Sequence, residues 1–226
     1  MKQKSHGVAL YGLLVALMLV LGLLDKAIPI TWFLSGAIPG IKLGLANTVL
    51  LYALYLMNWR SAALLMVVKA VLSGFIYGSV TAIAISLSGG VLSLLVMLAV
   101  KRGSGIGALA VGTVSLAGEV WLLCIRRVPL RGDMLWCVAI LALACVGGFA
   151  VWLIDRRGPG KGVIATSMAG GVCFNIGQTL MAVVILRTPQ LLYGYLPFLV
   201  GMGAVVGCLT GVVAQRVFLA LKAVDR

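Results

Sequence analysis

Lys69 is a lone cation inside a long apolar run, in a chain of which 62% of the residues are hydrophobic and 10% are charged. An ammonium at membrane depth is expensive, so its position suits anchoring a ligand or neutralising a charge. The competing reading is that Lys69 snorkels toward the interface marked by Arg60. Ser73, Tyr77 and Thr81 follow Lys69 at four-residue intervals, with Gly74 and Gly78 beside them. On one helix that spacing draws a slowly drifting polar line, suited to the wall of a cavity. Farther on, Asn175 and Gln178 place two carboxamides three residues apart, with Thr179 adjoining. Unpaired amides in hydrocarbon are costly, so they meet either another helix or a substrate. Glu119 is the one acid inside an apolar run, and pairing it with Lys69 would neutralise two expensive charges.

What the chain lacks is equally informative. Asp25, Asp133, Asp155 and Asp225 are isolated and sit near the ends of apolar runs, so no paired acids are available to hold magnesium on a diphosphate. His6 is the single histidine and stands near the amino terminus, which removes any Ser-His-Asp arrangement. The five cysteines, Cys124, Cys137, Cys145, Cys173 and Cys208, form no C-x-x-C pair and suggest neither a metal cluster nor a disulfide framework. Leu87-Ser88-Gly89-Gly90 and Gly158-Pro159-Gly160-Lys161-Gly162 have neither the spacing nor the partners of nucleotide-binding motifs. The expectation is a protein that is not an enzyme and carries no cofactor or metal.

The elements that would position these residues are membrane helices. Mean hydropathy of +1.17 over 226 residues belongs to a polytopic membrane protein. Because a span needs about 20 mostly apolar residues, the sequence offers runs near 7–24, 41–57, 62–85, 89–100, 104–125, 134–154, 163–186 and 197–221. The run at 89–100 is short for a crossing and reads as re-entrant or broken unless it borrows its flanks. The first run has a basic flank but no small-x-small cleavage site at its exit, so it reads as a retained span. Residues 25–40, with Pro29, Pro39, Trp32 and Phe33, read as an interfacial loop or partial lid.

The formal charge of +13 gathers where the runs stop, at Lys2, Lys4, Arg60, Lys101, Arg102, Arg156, Arg157, Lys161 and Lys222. That distribution is a topology signal and not a nucleic-acid footprint. It favours a cytoplasmic-membrane protein with both termini in the cytoplasm, although Arg126, Arg127 and Arg131 then fall outside. Gly203, Gly207 and Gly211 repeat every fourth residue, and Gly12 precedes Ala16 by four. Such ridges let helices approach closely, either within the bundle or against a partner subunit.

Three stretches together carry a family resemblance: Pro39-Gly40-Ile41-Lys42-Leu43-Gly44-Leu45-Ala46-Asn47, Ser86 to Met97 (Ser-Leu-Ser-Gly-Gly-Val-Leu-Ser-Leu-Leu-Val-Met), and Asn175-Ile176-Gly177-Gln178. The chain resembles the Gx transporter family, also labelled heptaprenyl diphosphate synthase component I and similar to substrate-binding subunits of energy-coupling factor transporters. The resemblance covers about 7–102 and 162–222. It departs in two places: Phe174 stands where the family usually has histidine, and 103–157 looks like an inserted helical hairpin. The expected fold is therefore an all-α polytopic bundle in a single membrane domain, a six-span core plus that hairpin.

The resemblance implies a membrane-embedded subunit that binds a small hydrophobic or vitamin-like compound, with ATPase and transmembrane coupling subunits supplied by other chains. Lys69, Ser73, Tyr77, Asn47, Asn175 and Gln178 are the substrate-binding candidates, and Gly12, Ala16, Gly203, Gly207 and Gly211 the partner-docking candidates. Two other functions stay open: a membrane component of quinone- and flavin-linked extracellular electron transfer, and a non-catalytic membrane partner of a prenyl diphosphate synthase.

Overall fold

Six α-helices account for the residues described by the computed structural model, which are 2–27, 45–102, 162–188 and 196–224. Within them, the side chains of 2–8, 25–27, 73, 76, 77, 197, 198 and 221–224 lie outside the description. In chain order the helices are α1 (Lys2–Ala27), α2 (Asn47–Leu56), α3 (Trp59–Tyr77), α4 (Val80–Lys101), α5 (Val163–Leu186) and α6 (Leu196–Val224). The described residues are thus all-α. Three helical stretches are long and apolar enough to cross a membrane: Val80–Lys101, Val163–Leu186 and Leu199–Ala220. The larger count of eight spans depends in part on 104–125 and 134–154, which lie outside the described residues, as does the proposed hairpin at 103–157.

The helix boundaries correct one feature of the sequence reading. The apolar stretch from 62 to 100 divides at Gly78, not near 86–88. Gly78 takes the left-handed conformation (φ +61°), and its N–H bonds back to the Gly74 carbonyl, closing the carboxyl end of α3. A glycine meets no Cβ penalty there. Ser79 is extended, and α4 then runs 22 residues, or roughly 33 Å. The run at 89–100 is thus the second half of a full-length helix. Thr81 consequently lies on α4, off the line of Lys69, and its hydroxyl pairs with Ser79.

Ten-residue α2 is apolar nearly all round, and it buries Val49, Leu50, Leu51, Ala53 and Leu54. A short helix of that pattern belongs in a protein interior. Leu14 and Met18 of α1, Leu65 and Met66 of α3, and Leu94 and Met97 of α4 complete the largest core cluster around it.

Glycine sets the spacing on both sides of α5. A Cβ on Gly177 would lie 2.9 Å from Gly89 Cα of α4, and one on Gly207 of α6 would lie 2.7 Å from Met168 Cα of α5. Backbone therefore meets backbone on two faces of one helix, which only small residues allow. The outer side of α6 exposes Val205, Leu209, Val212 and Val213, as lipid contact requires.

Among the described residues, basic side chains collect at one end of the bundle. Tyr11 Oη bonds Ser61 Oγ, Lys101 Nζ donates to the Leu54 carbonyl, and Tyr55 both hydrogen-bonds Thr166 and stacks on Phe218. These contacts bring the start of α3, the end of α4, the start of α5 and the carboxyl part of α6 to one end. Arg60, Lys101, Arg102 and Arg216 gather there, whereas Arg187 is at the other end.

Candidate functional site

Asn47 stands in the first turn of α2, where the helix enters the bundle. Its amide nitrogen donates to Ser93 Oγ of α4 at 2.6 Å and to the Gly170 carbonyl of α5 at 3.2 Å. Its amide oxygen accepts from Lys69 Nζ of α3 at 3.2 Å. One buried carboxamide thereby joins three neighbouring helices. Such a buried amide must have its hydrogen bonds met, so this hub also fixes how α2, α3, α4 and α5 sit together.

Lys69 is 5% exposed, and its Nζ sits 4.0 Å from the centroid of the Phe174 ring. The ring face carries the negative lobe of the aromatic quadrupole, so it attracts the ammonium where water is excluded. The side chain points into the bundle and not toward the interface at Arg60, against the snorkelling alternative. Phe174 can take this place because Gly89 faces it: a Cβ there would lie 3.0 Å from the ring carbons and 2.7 Å from the Phe174 carbonyl oxygen.

The second pair of amides is built differently. Asn175 Nδ2 donates to the Leu199 carbonyl of α6, Gln178 Nε2 donates to Asn175 Oδ1 at 2.9 Å, and Thr179 Oγ1 donates to the Asn175 carbonyl at 2.8 Å. Asn175 and Gln178 are fully buried; the Asn175 bond to Leu199 ties α5 to α6, and the Gln178 and Thr179 bonds stay within α5. Of the bonds named, the one from Asn175 to Leu199 serves helix-to-helix packing.

A small cleft, with a cavity volume of about 10 Å³, lies on the other side of Asn47, among α2, α4, α5 and α6. Asn47, Thr48, Met97, Ser167, Val206 and Thr210 line it, together with the backbone of Gly171, Gly203 and Gly207. Ser167 Oγ and Thr210 Oγ1 are 3.1 Å apart across the α5/α6 boundary, and Thr210 also donates to the Val206 carbonyl.

The remaining candidates separate into groups. Ser73 and Tyr77 lie on α3, but their side chains are outside the described residues, as is Glu119. Gly203, Gly207 and Gly211 face Gly171, Met168 and Ile164 of α5, so within the bundle their ridge is occupied by the chain itself. Gly12 and Ala16 are exposed on α1, and the space around Gly12 is open. Ser93, Phe174, Thr48, Ser167 and Thr210 were not singled out as site residues from sequence. Ser93 lies inside the Ser86 to Met97 stretch of the family resemblance, its one signal in the sequence. No group of histidine, cysteine or carboxylate side chains suited to a metal occurs among the described residues.

The described parts of the stretches that carry the family resemblance come together in this geometry. Asn47, ending the first stretch, bonds Ser93 of the second, and Ser88 Oγ of the second donates to the Gly177 carbonyl of the third at 3.1 Å. The family model for heptaprenyl diphosphate synthase component I matches residues 14–126 and 121–217. The chain belongs to this family. No curated protein and no solved structure matches the chain at a significant level. Among the described parts of this heptaprenyl diphosphate synthase component I family member, the two matched stretches take in α2 to α5 whole and most of α1 and α6.

Proposed function

We propose that the chain is the membrane-embedded substrate-binding subunit of a transport system for a small hydrophobic or vitamin-like compound, energised by partner chains. The observation that carries this reading is the buried hub at Asn47, which holds the Lys69 ammonium inside the bundle beside a polar cleft. A packing function alone has no need of a cation at that depth. Lys69, Asn47, Ser73 and Tyr77 form the inner wall of the binding region in this proposal, and Asn175 with Gln178 support it from α5. Gly12 and Ala16, on the open face of α1, are the docking positions for a coupling subunit. The protein is placed in the cytoplasmic membrane with both termini inside, and 103–157 adds a helical hairpin; the two matched stretches meet at 121–126, within that segment.

A second reading has one specific observation in its favour. The description of the matched family names a synthase component, which suits a non-catalytic membrane partner of a prenyl diphosphate synthase. Mass spectrometry of proteins that co-purify with the tagged chain from gently solubilised native membranes separates the two. An ATPase pair with a transmembrane coupling subunit is expected. Recovery of a soluble prenyl synthase in its place, with synthase activity requiring both chains, would move the second reading to first.

A further inference from the structure

The cleft behind Asn47 has a chemistry of its own. It offers an amide and three hydroxyl groups from three helices, and no charged side chain lines it among the described residues. The Ser167 and Thr210 hydroxyls bond one another, and Asn47 is engaged by Lys69, Ser93 and Gly170. The Thr48 hydroxyl makes no hydrogen bond among the described residues, so it remains available to a group entering the cleft.

We infer that this cleft is the seat for the uncharged hydroxyl or carbonyl end of the compound that the protein binds, an inference that rests on the substrate-binding reading. Hydroxyl groups pair equally well with a neutral donor or acceptor. A phosphate or carboxylate brought into a buried cleft without a cation in its wall would leave its desolvation uncompensated. The size agrees with a seat for one polar end only: a cavity of about 10 Å³ has room for a single water-sized group such as a hydroxyl or carbonyl oxygen. The apolar remainder of the compound lies outside so small a cleft.

Farnesol and farnesyl diphosphate are suitable probes because they share one apolar chain and differ in the charge of the head. Binding of each is measured on the purified full-length chain in lipid nanodiscs, for the wild type and for Thr48→Val. That variant removes a hydroxyl unengaged among the described residues, with little change in volume, so its thermal midpoint should match the wild type. Farnesol is expected to bind at least about ten-fold more tightly than the diphosphate. Thr48→Val should weaken farnesol about five- to ten-fold, the loss of one hydrogen bond. Tighter binding of the diphosphate, binding of neither probe, or farnesol binding unchanged in Thr48→Val would each overturn the neutral seat. None of those results touches the substrate-binding reading, which stands or falls on the partner chains recovered from native membranes.

Discussion

The ammonium of Lys69 lies 4.0 Å above the ring of Phe174, with both side chains buried between α3 and α5. A titratable neighbour at position 174 would make this arrangement depend on pH, whereas a phenyl ring stabilises the cation at every pH at which lysine is charged. Phe174→Leu should lower stability by about 2–4 kcal/mol, from the cavity and the lost ring face together. A double-mutant cycle with Lys69→Met, read by thermal unfolding in detergent, should return a coupling of about 0.5–2 kcal/mol. Additive losses would mean that ring and cation do not interact.

Glycine contacts around α5 predict a sharp contrast between positions. Gly207→Ala would set a methyl group 2.7 Å from Met168 Cα, while Gly12→Ala would meet nothing within 4 Å. The first should cost about 1–3 kcal/mol through forced separation of α5 and α6, and the second should stay within about 0.5 kcal/mol of wild type. Thermal midpoints of the two variants test this, and equal midpoints would contradict the packing described for the α5/α6 seam.

Asn175 bridges two helices through the Leu199 carbonyl and also receives Gln178. Replacing it by leucine leaves a buried glutamine with one bond fewer and should cost about 1–3 kcal/mol. Asn175→Leu together with Gln178→Leu should cost less than the sum of the two single changes, because the partners are removed together. Strict additivity in unfolding measurements would show that the amides act separately.

Labelling of single cysteines from either side of the membrane tests the placement of the helix ends. Arg60→Cys and Arg102→Cys should react from one side and Thr188→Cys from the other, after the native cysteines are replaced. The prediction follows from α4 running the full length from Val80 to Lys101. Opposite accessibility for positions 60 and 102 would break the α3/α4 hairpin as described.

Lys69 was legible in the sequence because a charge in hydrocarbon stands out against any background. Its contact with Phe174 was not: Phe174 stands out only as a departure from the family's histidine, and nothing in the sequence ties it to Lys69. The division of the long apolar stretch was misplaced for a related reason. Hydropathy continues unbroken through Gly78, and the left-handed cap that ends the helix there is marked only by a glycine, one of 29 in the chain. For Gly203, Gly207 and Gly211 the close approach was readable, but not its partner, because a helix neighbour and a docking subunit ask for the same small residues. The cleft hydroxyls Thr48, Ser167 and Thr210 come from three helices, and only their packing makes them one group.

The central claim is that the buried hub at Lys69 and Asn47 serves a bound compound. It is tested most directly by extracting the purified full-length chain from native membranes and identifying retained small molecules by mass spectrometry, for wild type and Lys69→Met side by side. The account predicts one compound in near-stoichiometric amount with the wild type, reduced about ten-fold or more in Lys69→Met at equal expression and membrane insertion. Wild-type protein carrying only bulk lipid, or a retained compound indifferent to Lys69→Met, would contradict it.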